Sequence, residues 1–473
     1  MEDSEKVQGL QTLADAVKRR EKIGRRKPVA SVRVSPGGYL AVASILTFAS
    51  VLLLRAADDI WALAALAVGW LVMPALAFTD RIVFDGQSLL RRGPVHFMAQ
   101  LVSGRRQWLS LTDFERVDTN AVRTLRRGGS VRYRYRTQVS GRGVNFILAS
   151  GGKSYRAMVR KLFHLIPDQK TDSRTRELRD YLSDPGSLAR DVKALGLASS
   201  AVLDNAIADL KNRLASRAPS SESQSEQDLE RARLLRRLAN QMRVAGRLTE
   251  SREAFRRALI VLPQDPRLIY EFARLLRSQA SALSDARLLA RARAALRLSS
   301  LRAGDDSELL SSIGESQIEC GDVERAERTL RRALVVDSRS FRARIELADL
   351  ALRSGKLAHV IHHYRDAAQM ATDKALTLYA RREADYYARL NDDEDYLSAE
   401  LRRIDWLQNA TKVRRVAARI INASILVALL GPYVNATIGG LGWSFASCSL
   451  FAWLGAFSLT RVLADRRKPR PAN

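Results

Sequence analysis

"LLSSIGESQIECGDVERAERTLRRALVVDS", residues 309–338, has two near relatives within the same chain. The stretch LLRRLANQMRVAGRLTESREAFRRALIVLP (234–263) precedes it, and RIELADLALRSGKLAHVIHHYRDAAQMAT (344–372) follows it. The stretches at 309–338 and 344–372 align at an offset of about 34 residues. A fixed period of this length indicates supersecondary units that stack on one another, so we predict an array of helix pairs.

The three stretches share small residues where two helices approach closely and a glycine where the chain turns. The small residues are Ala239, Gly314 and Ala348 in the first helix and Ala258, Ala333 and Ala367 in the second. The glycines are Gly246, Gly321 and Gly355, at a position where a positive φ or a helix C-cap is needed. This pattern resembles the tetratricopeptide repeat family. The resemblance implies an α-solenoid over residues 228–410, with a divergent unit at 266–300 and a weaker final unit at 373–407.

Arrays of this family hold extended or helical peptides on the concave face that their first helices form. The resemblance therefore implies a protein or peptide partner. The residues expected to contact it are Asn240, Arg243, Gln317 and Asp349. The alternative for each of them is an ordinary solvated position with no partner.

Two apolar pairs flank the rest of the chain, at 37–79 and at 416–460. In the first pair, the charge-free runs 39–54 and 60–78 are separated by residues that include Arg55, Asp58 and Asp59. A bilayer core needs about 20 apolar residues per helix, and a charge at its centre costs about 2.5–3.5 kcal/mol. We therefore predict two transmembrane hairpins, four spans in all, with RAADDIW (55–61) as the exposed tip of the first.

Lys and Arg concentrate on one side of both hairpins. They crowd the N-terminal segment 1–36, the residues just before 416 and the tail 461–473, whereas the two tips carry only Arg55. The positive-inside rule places both termini and the soluble domains in the cytoplasm, as expected for a bacterial inner-membrane protein. The formal net charge of +27 fits this topology or a polyanionic partner. The alternative is a soluble protein in which both hairpins are buried.

Residues 80–185 have the pattern of short strands followed by a helix. In VRYRYRT (131–137), alternation places the tyrosines on one face of a strand and three arginines on the other. The stretches TDRIVFDGQSLLRRG (79–93) and LSLTDFERVD (109–118), with a closing helix at 153–166, resemble the bacterial pleckstrin-homology-like domains of small membrane proteins. That resemblance implies a small antiparallel β domain with a C-terminal helix, serving in interaction or membrane proximity and without catalysis.

The three arginines of this strand, Arg132, Arg134 and Arg136, are the predicted contact with anionic lipid, because basic residues near an anionic leaflet are attracted to it. A solvated sheet face is the alternative. Nucleic acid is a third and disfavoured partner, since Tyr133 and Tyr135 lie on the opposite face and cannot stack on bases beside the arginines.

Residues 186–227 are predicted to form a helical linker that ends in the flexible Ser-rich segment APSSESQSEQ (218–227). His359 and His363 have the i, i+4 spacing of metal ligands, with Asp366 nearby, but no fourth ligand is evident. No arrangement of Ser, His and Asp or of Cys and His suggests a nucleophile. We therefore expect no cofactor, no metal and no enzymatic activity.

Taken together, the sequence predicts a mainly α-helical protein with two transmembrane hairpins, a small β domain and a tetratricopeptide α-solenoid. The expected function is a membrane-anchored scaffold or adaptor that recruits a protein partner at the cytoplasmic membrane face. The alternative is a membrane-organising protein that binds anionic lipid through the basic β domain. A transporter is disfavoured because the four predicted spans contain almost no polar residues.

Overall fold

The computed structural model is mainly helical, with small antiparallel sheets and a helical solenoid-like array. It describes residues 28–34, 37–55, 58–94, 108–125, 131–149, 152–196, 226–433 and 435–463. The predictions for most of the basic N-terminal segment, for nearly all of the Ser-rich linker and for most of the basic tail therefore lie outside the described residues. The chain divides into two compact units, one comprising residues 1–35 and 78–384, the other comprising residues 36–77 and 385–473.

The first unit begins with a four-stranded antiparallel sheet. Its strands, in spatial and in chain order, are β1 (Ala30–Arg33), β2 (Arg81–Phe84), β3 (Ser88–Arg92) and β4 (Trp108–Ser110). Strands β2 and β3 are joined by a turn that contains Asp85 and Gly86, with Gly86 at φ 96°. Strand β1 lies within the basic N-terminal segment 1–36, for which no strand was predicted. It pairs with β2, so the apolar pair 37–79 is inserted between two neighbouring strands.

A second antiparallel sheet and one helix complete what we call the β domain. The strands are β5 (Arg116–Leu125), β6 (Val131–Gly141) and β7 (Val144–Ala149), and the helix is α1 (Lys153–Leu162). Tyr155, Val159 and Leu162 of this helix are buried in one core with side chains of both sheets. Two short helices follow, α2 (Ser173–Tyr181) and α3 (Pro185–Ala194).

The array consists of antiparallel helix pairs and one further helix. These helices are α4 (Glu226–Ala245), α5 (Leu248–Val261), α6 (Pro266–Leu283), α7 (Ala286–Arg302), α8 (Ser307–Glu319), α9 (Val323–Val336), α10 (Phe341–Arg353), α11 (Leu357–Met370) and α12 (Lys374–Asp392). The small-residue prediction holds: a Cβ added at Gly314 would come within 2.6 Å of the Leu330 side chain, so only glycine lets this pair close. Gly246, Gly321 and Gly355 all have positive φ, as predicted for the turns.

The second unit contains the apolar pairs, formed by α13 (Gly37–Arg55) and α14 (Asp59–Thr79) and by α15 (Glu394–Leu430) and α16 (Ala436–Val462). Among the described residues, two helices are long and apolar enough to cross a membrane, Asp59–Thr79 and Thr437–Thr460. The sequence predicted four. One of the other two predicted spans lies on α13, the 19-residue helix Gly37–Arg55, of which Gly38–Val51 counts as a shorter apolar helix. The other predicted span, which begins at residue 416, is the end of the 37-residue helix α15, and this helix also carries many charges.

Within the second unit, helices approach closely through small residues and leave their large apolar side chains outside. A Cβ at Gly69 would lie 3.3 Å from the Ala43 carbonyl oxygen, and one at Gly442 would lie 2.5 Å from the Ala428 nitrogen. In the most apolar 18-residue stretch of each helix, only 11% is buried in Asp59–Thr79 and 17% in Thr437–Thr460. Most of the apolar surface of these helices is therefore not used in contacts within the chain.

Candidate functional site

The first helices of the repeats are α4, α6, α8 and α10, and side chains of α4, α6 and α8 contact one short helix of the same chain. We call their common surface the first-helix face, and α2 (Ser173–Tyr181, SRTRELRDY) the groove helix. The groove helix begins at Asp172, whose carboxylate caps it by accepting a hydrogen bond from the Thr175 backbone at 2.9 Å. Leu178 is buried in the core of the β domain. The β domain thus holds the apolar side of the helix, and several of its charged side chains turn to the repeats.

Glu177 of the groove helix binds two arginines of the array. Its carboxylate accepts a hydrogen bond from Arg243 Nη2 at 2.6 Å and lies 2.8 Å from Arg274 Nε. The three side chains are only 14%, 6% and 5% exposed, so water does little to screen their charges. Burial alone would raise the pKa of Glu177, but the two guanidinium groups outweigh burial and lower the pKa to about 2. Glu177 is therefore ionised at every physiological pH.

The arginines of the groove helix lie beside glutamates of the array. Arg176 lies 3.5 Å from Glu315 Oε2 and Arg174 lies 3.6 Å from Glu319 Oε1. The two glutamates also pair with arginines of the array, Glu315 with Arg342 and Glu319 with Arg277. Each of the three glutamates in this region thus lies between two arginines, which fixes the register of the groove helix on the repeats.

Other side chains attach the β domain to the array on both sides of the groove helix. Tyr135 donates a hydrogen bond to the Val244 carbonyl oxygen at 2.6 Å. The backbone of β6 approaches the first repeat turn so closely that a Cβ at Gly246 would lie 1.9 Å from the Val131 carbonyl oxygen. Toward the last repeats, Glu115 accepts a hydrogen bond from Arg382 at 2.8 Å. The array and the β domain therefore form one compact unit.

The structure places the four predicted partner-binding residues in different environments. Asn240 and Arg243 are buried, and Arg243 is the residue that binds Glu177. Gln317 is buried within the array, and its Oε1 accepts no hydrogen bond from the described residues. Asp349 is half-buried on α10. The prediction that an external partner contacts these residues is untested. Three of the four are enclosed, because the chain covers the face to which they belong.

Sequence reasoning missed Arg274 and Glu315, which make the central contacts with the groove helix. Both follow directly after a small helix-contact residue, as Asn240 and Asp349 do. The repeat period would have found them, since one period of about 34 residues leads from Asn240 to Arg274 and from Glu315 to Asp349. What the period could not show is that the ligand of these positions lies in the same chain.

Glu346 and Asp349 form a contrasting site on α10, which we call the carboxylate pair. Neither side chain makes a hydrogen bond or ion pair with any residue that the structure describes, although the charge of Arg116 favours ionised Asp349. Burial, together with the neighbouring Asp349, raises the pKa of Glu346 to about 7, and burial also raises the pKa of Asp349. The carboxylate pair is therefore partly protonated near neutral pH.

The predicted alternation of β6 is confirmed. Arg132, Arg134 and Arg136 are exposed, whereas Tyr133 and Tyr135 are half-buried on the face that is directed at the array. Val122 lies opposite Arg134 on β5, and 59% of its surface is exposed. This basic sheet face is thus an open surface of the first unit.

The histidines of α11 are not gathered around a common point with other ligands. Asp366, the nearest carboxylate, accepts a hydrogen bond from Arg344 at 2.5 Å, and His362 lies 3.5 Å from it. Across the described part of the chain, no group of three or more His, Cys, Asp or Glu residues has the arrangement of a metal site.

Comparison with known proteins gives a fold-level likeness only. No family model and no curated protein matches the chain. Among solved structures, the MamA protein is 13% identical with a TM-score of 0.25, covering 35% of this chain and 96% of its own. The APC/C hetero-tetramer Cut9-Hcn1 is 14% identical with a TM-score of 0.29, covering 66% of this chain and 52% of its own. With TM-scores this low, the two superpositions support no conclusion about the function of this chain. The chain's own helix pairs, period and turn glycines form a helical-repeat array that resembles tetratricopeptide repeats.

Proposed function

We propose that the protein is a membrane-anchored, non-catalytic scaffold whose helical repeats recruit a protein partner. The observation that carries this proposal is the groove helix on the first-helix face, held by Glu177, Arg174 and Arg176. A surface that holds one helix by side-chain charge has the geometry to recognise another protein segment.

The membrane anchor is supported by the exposed apolar surface of the second unit. In a soluble protein, most of such an apolar helix would be buried. Here the apolar stretches of the two helices are only 11% and 17% buried. Close helix approach through Gly69 and Gly442 is the packing expected where lipid, not water, surrounds the helices. We propose that each apolar pair, 37–79 and 416–460, enters the bilayer as a hairpin. The Lys and Arg distribution supports a cytoplasmic location of the repeats in a bacterial cell.

The test is site-specific photo-crosslinking in the full-length protein in native membranes. A photo-reactive residue at position 349 lies on α10 beside the groove, and one at Val335, which is 86% exposed on the second helix α9, serves as the control. We expect a protein adduct from position 349 that is absent from position 335. Adducts that are the same at both positions, or none at either, would contradict partner binding on this face.

A second function is favoured by the exposed arginines of β6, which give the β domain a basic face for anionic lipid. In full-length protein with Cys448 replaced by Ser, a cysteine at Val122 would report on this face through its rate of thiol modification. We expect slower modification in nanodiscs that contain phosphatidylglycerol than in neutral ones, with the difference lost at high salt. Equal rates in both lipids would rule this contact out.

A further inference from the structure

We propose that the first-helix face is a recognition site for a short helix with the charge pattern of the groove helix, and that the groove helix is its resident occupant. A partner helix would bind by displacing this segment from the repeats. The inference rests on the proposed scaffold function and adds the class of ligand: a helix with one acidic residue preceded by basic residues one and three positions earlier, as Glu177 is preceded by Arg176 and Arg174.

The first step of the argument is the polarity of the contact. The side chains of the groove helix that contact the repeats are charged or polar: Arg174, Arg176 and Glu177 make ion pairs, and Tyr181 donates a hydrogen bond to Glu271 at 3.1 Å. Leu178 lies in the core of the β domain. Buried ion pairs define register well, but their net stabilisation is small because removing charges from water offsets much of the attraction. A contact of this kind is specific and can be exchanged for an equivalent one.

The second step is the arrangement of the charges. Arg243 and Arg274 surround one carboxylate, and Glu315 and Glu319 each face one guanidinium group of the groove helix. A polycationic ligand would leave the buried Arg243 and Arg274 without the carboxylate that they share, which is strongly unfavourable. A polyanionic ligand would not replace the contacts of Glu315 and Glu319 with Arg176 and Arg174, although both glutamates keep an arginine of the array. A ligand with both charges in this order satisfies the whole face.

The third step is the room for movement beside the helix. A cleft of about 530 Å³ lies next to it, lined by Tyr133 and Tyr135 of β6, by Arg277 and Ser278 of α6, and by Glu177. The contact between the β domain and α6 is therefore not closely packed throughout.

The experiment measures binding of a fluorescent peptide with the sequence of residues 168–184 to the full-length protein in detergent, by anisotropy. The wild-type chain should bind it weakly, because the site is occupied. Glu177→Arg places a cation beside Arg243 and Arg274 and should release the resident helix. We expect this variant to bind the peptide at least tenfold more tightly than the wild type.

The matched control is Asp180→Arg, the same charge reversal on the same helix at a residue that pairs with Arg179 and not with the array. It should bind the peptide as weakly as the wild type. A peptide of the same composition in scrambled order should bind none of the chains. If Glu177→Arg loses helical circular dichroism, Glu177→Gln replaces it as the milder opening variant.

The inference is overturned if the folded opening variants bind the peptide no better than Asp180→Arg does, or bind the scrambled peptide equally well. That outcome is distinguishable from failure of the scaffold function. A partner crosslinked specifically at position 349 would then still stand, with a different mode of recognition.

Discussion

Two parts of the first-helix face contain buried acidic side chains, and only one of these parts supplies them with arginine partners. Around the groove helix, Glu177 and the arginines of α4 and α6 satisfy one another, and the carboxylate is ionised at all physiological pH values. On α10, the carboxylate pair of Glu346 and Asp349 has no such partner among the described residues, and its acid groups resist ionisation. A buried carboxylate therefore stabilises the part of the face where arginines pair with it. It weakens the part where no such pair is made.

The most severe test of this comparison is Glu177→Ala. It leaves Arg243 and Arg274 buried without their carboxylate, and we expect a loss of about 3–5 kcal/mol in the free energy of unfolding. Denaturant unfolding of the full-length protein in detergent, followed by circular dichroism, measures it. Asp180→Ala is the control and should cost less than about 1 kcal/mol, because Asp180 is half-exposed. Similar losses for both variants would remove the distinction between the two parts of the face.

Gly246→Ala and Gly355→Ala compare two equivalent repeat turns. Both residues have positive φ, 84° and 72°, so the backbone strain of an alanine is similar, about 1 kcal/mol. A Cβ at Gly355 meets nothing within 4 Å, whereas at Gly246 it meets the Val131 carbonyl oxygen. We expect Gly246→Ala to cost about 2 kcal/mol more than Gly355→Ala and to speed hydrogen exchange in β6. Identical thermal shifts would show that β6 does not rest on this turn.

A smaller effect is expected for Asn240→Ala in the paired part of the face. The buried Asn240 amide donates to Glu271 Oε2 at 2.8 Å, and its carbonyl accepts from Arg243 at 3.1 Å. Loss of these bonds should cost about 1–3 kcal/mol. Asp349→Asn, at the corresponding position of α10, should cost nothing measurable, because no hydrogen bond is lost there. A larger loss for Asp349→Asn than for Asn240→Ala would reverse the comparison.

The smallest effect, and the one stabilising change, is expected for Glu346→Gln. Because the folded-state pKa of about 7 lies above the ordinary value of 4.5, Glu346 binds its proton more tightly in the folded protein. Its contribution is therefore favourable below pH 4.5 and is lost as the pH rises through 7. At pH 8 the substitution should stabilise the protein by about 1 kcal/mol, and at pH 5 by much less. A pH-independent effect would contradict the raised pKa.

The pKa of Glu177 is shifted in the opposite direction to that of Glu346, so Glu177 provides an internal check on the same measurement. Its pKa is lowered to about 2, so its stabilising contribution is present above pH 4.5 and is lost as the pH falls toward 2. The two glutamates thus act over different pH ranges, and the stabilities of the wild type and of Glu346→Gln should diverge as the pH rises from 4.5 to about 7 and stay apart above it.

The repeat array could be predicted because its signals are local and periodic. Small residues such as Gly314 and turn glycines such as Gly355 recur at one offset, and each reports a contact made within its own repeat. The strand β6 could be predicted for the same reason, since alternation along seven residues is enough to separate its two faces. Strand β1 could not, because its four residues pair with a partner that lies beyond the whole inserted apolar pair.

The sequence by itself determined the elements: paired helices, an alternating strand and two apolar pairs, because each of these depends on neighbours within a few dozen residues. Only the tertiary structure decided what lies on the first-helix face, since Glu177 meets Arg243 across 66 residues and no periodicity links them. The physical reason is that burial and charge pairing are properties of the assembled chain, and a residue type alone does not reveal them.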